Sequence, residues 1–166
     1  MALFLSAFTN KIDAKGRVSV PPQFRASLVN PEFSGMIVYE SFTNDCIEGC
    51  DIERIRKLSE SIDNLDQFSE ERDSLAAALL GASVQLTIDA DGRVILPESM
   101  LKKVKIKSTV TFVGKGSIFE IWQPEKFDEH MVKAKKGAKD KLNLLKVVKW
   151  IKVFANQIFC RKEVDA

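Results

Sequence analysis

Two ten-residue stretches decide the fold of this chain: Ile12-Asp-Ala-Lys-Gly-Arg-Val-Ser-Val-Pro21 and, at an offset of 76 positions, Ile88-Asp-Ala-Asp-Gly-Arg-Val-Ile-Leu-Pro97. Seven of their ten positions are identical. A stretch that recurs at a fixed spacing indicates one supersecondary unit present twice. The sequence therefore predicts a duplicated fold built around these two stretches.

Each stretch has the pattern of a β-hairpin. Asp13 and Asp89 suit the start of a tight turn, because a short carboxylate can accept hydrogen bonds from the backbone ahead of it. Gly16 and Gly92 can supply the positive φ that closes such a turn. In the first copy the following strand alternates polar and apolar residues, so that Val18 is expected to face inward. The prolines that follow then end the strand and begin a short helix, at residues 23–28 in the first copy.

The rest of the chain adds strands and helices around the two hairpins. Further strands are expected at residues 35–40, 46–50, 109–113 and 118–122. Helical periodicity occurs at residues 51–62, 69–80 and 125–136. Gly81 is expected to stop the second of these helices. From residue 140 onward the pattern again has helical period, with an apolar face opposite Lys146, Lys149 and Lys152.

These elements predict an α+β fold in four parts. The predicted parts are a first repeat with its following helix (1–62), a linking helix (63–82), a second repeat (83–139) and a basic amphipathic C-terminal helix (140–166).

Composition narrows the class of protein. Hydrophobic residues make up 45% of the 166 residues, which is enough for a packed core, and no apolar run approaches the roughly 18 to 20 residues that span a bilayer. The apolar start lacks the basic region of a secretory signal, since its first basic residue is Lys11. Three cysteines do not make a disulfide framework. We therefore expect a cytoplasmic protein.

The net charge of +2 conceals two halves of opposite sign. Residues 1–101 hold 9 Lys and Arg against 16 Asp and Glu, a balance of −7, whereas residues 102–166 hold 16 against 7, a balance of +9. Such asymmetry is found in proteins that bind nucleic acid, bind acidic membranes or associate with their own copies. Charge alone leaves these three possibilities open.

The duplicated motif resembles the MraZ family of bacterial regulators. The family signature, Asp-x-x-x-Arg in each half, stands here as Asp13-Ala-Lys-Gly-Arg17 and Asp89-Ala-Asp-Gly-Arg93. The runs Leu79-Leu-Gly-Ala82 and Phe119-Glu-Ile-Trp122 are also similar to family features, and the resemblance covers about residues 3–130.

The resemblance implies both a fold and a function. The implied fold is two AbrB-like hairpin-and-helix repeats that form one pseudo-two-fold, β-barrel-like core with additional helices. The implied function is sequence-specific DNA binding by a ring-like homo-oligomer, which represses a cell-division and cell-wall operon, including its own gene, from short direct repeats. A nucleoid-associated location follows. Of the family's binding residues, the arginine corresponds to Arg17 and the basic residue before the glycine to Lys15.

Charge distinguishes the two copies as DNA-binding surfaces. Residues 10–25 carry a balance of +3, from Lys11, Lys15, Arg17 and Arg25 against Asp13. Residues 86–101 carry a balance of −2, from Arg93 against Asp89, Asp91 and Glu98. Because phosphate binding needs cations, we expect the first hairpin to bind DNA, with Arg17 on a base and the other three cations on phosphates. Asp13, Gly16, Asp89, Gly92 and Arg93 are expected to have structural roles.

Other classes of function have weaker support in the sequence. Catalysis would depend on Cys46, Cys50 and His130, which are too few for a structural zinc site and lie far apart for a cysteine–base pair. No phosphate-binding glycine loop is present. We therefore predict no enzyme activity, no cofactor or metal, and no small-molecule substrate. The main alternative is an oligomeric scaffold or membrane-surface protein that uses the basic C-terminal helix, although we expect that helix to pack on protein with its lysines in water. A further possibility is that a basic face binds RNA, but strand-rich surfaces that do so usually display stacking aromatic residues, and Phe8 and Phe24 near the first hairpin are expected in the core.

Overall fold

The structure of the chain is a computed structural model that describes residues 2–145. The chain divides into two compact units, one ending at Asp128 and the other beginning at Glu129. The strands of the described part all belong to the first unit. The fold of that first unit is what positions the candidate site.

The described residues contain eight strands and five α-helices. This content confirms the predicted α+β class. The strands are β1 (Ala7–Lys11), β2 (Arg17–Ser19), β3 (Gly35–Glu40), β4 (Ile47–Cys50), β5 (Val84–Thr87), β6 (Arg93–Ile95), β7 (Thr109–Gly114) and β8 (Phe119–Trp122). The helices are α1 (Pro22–Leu28), α2 (Ile52–Asp63), α3 (Glu70–Leu75), α4 (Glu98–Lys103) and α5 (Pro124–Lys141). A π-helical segment, Ala76–Gly81, continues α3, and a 3₁₀ turn, Leu142–Leu144, follows α5.

The two repeats exchange strands within one antiparallel sheet. Its six strands run in the order β1-β7-β8-β4-β3-β5. The first strand of the first repeat therefore pairs with β7 of the second, and β5 of the second repeat pairs with β3 of the first. Strands β4 and β8 join the repeats at the centre of the sheet. Each repeat thus contributes strands that pair with strands of the other.

The remaining two strands form a separate two-stranded sheet, which we call the ribbon (β2 and β6). Its register pairs Arg17 with Ile95, Val18 with Val94, and Ser19 with Arg93. A closed barrel is not formed by the strands of residues 2–145, because β1 and β5 are the unpaired edges of the larger sheet. The barrel-like closure that the family resemblance implied is thus not seen in this part of the chain.

One hydrophobic core contains side chains from the ribbon, from the six-stranded sheet and from the short helices α1 and α4. Phe24 of α1 lies near its centre, with ring centroids 5.2 Å from Phe4, 5.6 Å from Phe8 and 5.3 Å from Phe119. The same core contains Val18 and Val94 of the ribbon. Because it draws side chains from both repeats, its burial stabilises the exchanged arrangement as a whole.

The second predicted helix ends at Gly81 as expected, but the glycine is not left-handed. The helix widens into a π-helical segment whose last residue is Gly81, and Ala82 caps it by donating its N–H to the oxygens of Ala77 and Leu80. The third predicted helix, 125–136, is α5, which continues to Lys141 and so crosses the predicted start of the tail at residue 140. Most of the predicted C-terminal helix, residues 146–166, lies outside the described residues.

Candidate nucleic-acid interface

Both motif aspartates hold the backbone of their turns. Asp13 Oδ1 accepts hydrogen bonds from the N–H groups of Lys15 and Arg17, each at 2.9 Å. Asp89 Oδ1 accepts the equivalent bonds from Asp91 and Arg93, also at 2.9 Å. In each case the bond from the arginine N–H is the main cause that lowers the aspartate pKa below its ordinary value. The carboxylates therefore remain charged and keep the two turns in one conformation.

Each turn glycine is in contact with the opposite repeat. Gly16 has φ +81° and its carbonyl accepts a 2.8 Å hydrogen bond from Leu96 N–H. Gly92 has φ +75° and its carbonyl accepts a 3.0 Å bond from Val20 N–H. These reciprocal bonds attach each hairpin turn to the strand end of the other repeat. The exchange of strands thus continues into the turns.

The side chain of Arg25 packs against the turn that contains Gly92. A Cβ atom added to Gly92 would lie 1.7 Å from Arg25 Nη1. Leu101, at the position equivalent to Arg25, lies on Gly16 in the same manner, 3.3 Å from such a Cβ. Arg25 is half-buried, and its Nε atom has no hydrogen-bond partner within residues 2–145. The predicted phosphate contact of Arg25 would therefore be made from beside Gly92.

The two glycines should respond differently to substitution. Both adopt a left-handed conformation that costs an alanine about 1–2 kcal/mol. At Gly16 the new Cβ would also lie 2.6 Å from the backbone oxygen of Leu96, which cannot move without breaking the turn contact, whereas at Gly92 it would meet the flexible end of Arg25. Denaturant unfolding should show a larger loss of stability for Gly16→Ala than for Gly92→Ala. In an Arg25→Ala background the cost of Gly92→Ala should fall further, and equal losses at both glycines would contradict the geometry.

The outward face of the ribbon brings the two motif arginines together. Val18 and Val94 are 1% and 2% exposed, and because side chains alternate along a strand, their neighbours point outward. This face carries Arg17, Ser19, Arg93 and Ile95. Arg17 and Arg93 are diagonal neighbours on it. Charge alone would treat the two hairpins as separate surfaces, and the near-identity of their sequences is the signal that they could pair around a pseudo-two-fold axis.

The two arginines differ in the acids that face them. Arg17 Nε is 3.1 Å from Asp13 Oδ2. Arg93 Nε is 3.6 Å from Asp89 Oδ2, and its Nη2 is 2.5 Å from Asp91 Oδ2. Asp91 occupies the turn position that Lys15 occupies in the first repeat. The positive charge of the outward face is therefore concentrated at the first turn.

The remaining predicted cations flank that turn. Lys15 is exposed within the turn itself. Lys11 is the last residue of β1 and is exposed, and it precedes Ile12, whose backbone forms a bridge with Val18. Since Ile12 and Val18 face the core, alternation directs Lys11 to the same outward side as Arg17. The first hairpin thus presents Lys11, Lys15 and Arg17 on one side.

The two cysteines among residues 2–145 occupy positions that do not suit catalysis. Cys46 and Cys50 are free thiols buried beside or within the central strand β4. Burial is the main cause that raises the pKa of Cys50 to about 12, and it raises the pKa of Cys46 further still. A thiol must ionise to act as a nucleophile, so neither cysteine is prepared for that chemistry. No group of three or more potential metal-binding side chains occurs within residues 2–145.

The alternative of a membrane-surface protein rests on the C-terminal segment. None of the helices within residues 2–145 combines the length and apolarity that crossing a bilayer demands. The lysine-bearing face that motivated the alternative begins at Lys146, outside the described residues. The structure therefore adds nothing in favour of this alternative.

Comparison with known proteins agrees with the motif. The family model described as "MraZ protein, putative antitoxin-like" matches residues 79–153. The chain is 50% identical over 138 residues to the transcriptional regulator MraZ of Rickettsia akari, covering 83% of this chain and 93% of that protein. Identity to the proteins of the same name is 49% over 141 residues in Rickettsia felis and 50% over 142 residues in Rickettsia bellii, with 85% of this chain and 95% of each relative covered. The chain belongs to the MraZ family.

Proposed function

We propose that this protein is a transcriptional regulator that binds a specific double-stranded DNA sequence through its first hairpin. The name of its relatives supports regulation of transcription. The observation that carries the proposal is the outward face of the ribbon, where Arg17 is opposed by one carboxylate and Arg93 by two. Of the two hairpins, the first is therefore the better electrostatic match to a duplex.

We propose that the ribbon enters the major groove of the duplex. A two-stranded ribbon fits that groove, and an arginine there can donate to both acceptors of a guanine edge. Asp13 holds Arg17 through Nε, which leaves the two Nη groups to donate outward. Asp13 thus orients the guanidinium before DNA arrives. Lys11, Lys15 and Arg25 would contact phosphates and set the register of the hairpin.

The regulatory scheme requires several hairpins acting together. One hairpin contacts little DNA, so we propose a ring-like homo-oligomer in which linked contacts multiply the affinity for short direct repeats. The exposed apolar side chains Leu3, Leu5 and Val29, between 57% and 76% exposed, offer surface for contact between copies. The proposed target is the operon that contains the protein's own gene, repressed by a cytoplasmic, nucleoid-associated protein.

The exchanged strands also favour the duplicated AbrB-like architecture. In this view each repeat contributes one hairpin and one short helix, and the pairing of β1 with β7 and of β5 with β3 is the swap. We propose that the chain has four parts, a first repeat with its following helix (1–62), a linking helix (63–82), a second repeat (83–139) and a basic C-terminal segment (140–166).

The test is binding of the protein to the DNA upstream of its own gene, measured against a shuffled duplex across a series of salt concentrations. Specific retention of the upstream DNA is expected. Lys11→Ala and Lys15→Ala should each weaken binding to both duplexes and reduce the slope of log affinity against log salt by about one, because each lysine releases one counterion.

The matched control for these lysines is Lys57→Ala, on helix α2, which packs against β3, α3 and the π-helical segment, and this change should leave the slope unchanged. Slopes that do not change for Lys11→Ala and Lys15→Ala would remove both lysines from the interface. Equal affinity for the upstream and shuffled duplexes would refute sequence-specific binding.

A further inference from the structure

We propose that Ile95 contacts the 5-methyl group of a thymine in the major groove, beside the base that Arg17 contacts. This inference rests on the proposed DNA-binding function and names a second residue that determines its specificity. Ile95 belongs to the second repeat, whose motif residues are expected from their charge to have structural roles.

Ile95 occupies an unusual place for a large apolar side chain. It is 61% exposed, although Val94 before it is buried and Leu96 after it is 1% exposed. It lies directly opposite Arg17 in the ribbon, and the adjacent outward pair is Ser19 with Arg93. The outward face therefore has one apolar position set among two arginines and a serine.

The surrounding charges indicate what kind of partner covers Ile95. An apolar protein surface placed on Ile95 would also cover Arg17 and Arg93, and burying such charges without full compensation is costly. A duplex offers phosphates and base acceptors to the arginines while it covers the isoleucine. In the major groove, thymine is the base that presents an apolar group, its 5-methyl.

The spacing allows the arginine and isoleucine to read neighbouring base pairs. Side chains directly opposite each other in an antiparallel pair start about 4.5–5.5 Å apart. Successive bases along a strand rise by about 3.4 Å. With Arg17 on a guanine, Ile95 would therefore lie over the next base pair or the one after it.

The equivalent position of the first repeat is different. Ser19 stands there, at the same offset of 76, and it is opposite Arg93. The two ends of the ribbon thus combine Arg17 with an isoleucine and Arg93 with a serine. A ribbon with unlike ends would recognise its site in one orientation, which an exact two-fold ribbon could not do.

Removing the methyl groups from the DNA tests this inference directly. The duplex upstream of the protein's own gene is amplified once with thymidine triphosphate and once with deoxyuridine triphosphate. Uracil lacks the 5-methyl group of thymine but keeps its Watson–Crick pairing with adenine. Wild-type protein is expected to bind the thymine duplex at least about fourfold more tightly than the uracil duplex, which is the effect of burying one methyl-sized group on an equilibrium constant. Ile95→Ser, which copies the residue that the ribbon already holds at Ser19, should bind both duplexes equally.

Phe42→Ala provides the matched control, since Phe42 is an apolar residue outside the ribbon that is 66% exposed, and its loss should leave the thymine preference intact. A thymine preference that is equal in wild type and Ile95→Ser would overturn the inference and leave the proposed function standing. A change of subunit number in Ile95→Ser without a change in that preference would also overturn it, in favour of contact with another copy. Failure of wild type to bind either duplex specifically would refute the proposed function and this inference together.

Discussion

Arg17→Ala should abolish sequence-specific DNA binding while the protein remains folded and assembled. A bidentate arginine–guanine contact contributes about 1–3 kcal/mol of discrimination, which is roughly 5- to 150-fold for each bound subunit. Because several linked subunits lose the contact together, the combined loss should exceed that range. The side chain is half exposed and its ion pair with Asp13 is at the surface, so the thermal unfolding temperature should change little. Gel shift with the upstream duplex measures the loss.

Arg93→Ala is the matched variant, because Arg93 occupies the equivalent position on the same ribbon face. Two carboxylates, those of Asp89 and Asp91, already face Arg93, so its removal should cost far less DNA affinity. Equal losses of specific binding at Arg17 and Arg93 would contradict the asymmetry between the turns. Circular dichroism and the measured mass of the assembly establish that both variants are intact.

Phe24→Ala should destabilise the fold by about 3–5 kcal/mol, the usual cost of truncating a buried phenylalanine. Phe24 is 1% exposed and meets Phe4, Phe8 and Phe119 as well as Phe112, whose ring centroid is 6.2 Å away. The cavity left behind would lie where α1 meets strands of both repeats, so it cannot be filled by movement within one of them. Denaturant unfolding gives the size of the loss.

Phe68→Ala is the control for this prediction, since Phe68 is 92% exposed and its truncation should change the free energy of unfolding by less than about 0.5 kcal/mol. A loss at Phe24 comparable with that at Phe68 would mean that the shared core is not the main source of stability. DNA binding of Phe24→Ala should weaken only to the extent that the protein unfolds.

The hairpins could be predicted from the sequence because turn chemistry is local. Asp13 and Gly16 are close together in the sequence, and the residue types that form such a turn have few other conformations of low energy. The strands at Gly35–Glu40 and Thr109–Gly114 could be predicted to within a residue, because the pattern of residue types along a strand is local too. Helix ends were harder to predict, since the π-helical segment through Gly81 has no local signal.

The candidate site likewise contains residues that local sequence predicts and residues that meet only in the folded protein. The cations of the first hairpin could be recognised one at a time from residue type and charge. The approach of Arg25 to Gly92 could not, because these residues belong to different repeats and meet only after the strands have exchanged. The place of Ile95 opposite Arg17 could not be predicted either, because it results from the pairing between β2 and β6.

The sequence by itself determined the duplication, the two turns, the alternation of the strands and the difference in charge between the copies. These properties depend on residues within a few positions of one another. Only the tertiary structure decided that the repeats exchange strands, that their hairpins form one ribbon, and that both motif arginines share its outward face. Pairing between strands 76 residues apart is selected by burial of one common core, which no local pattern encodes.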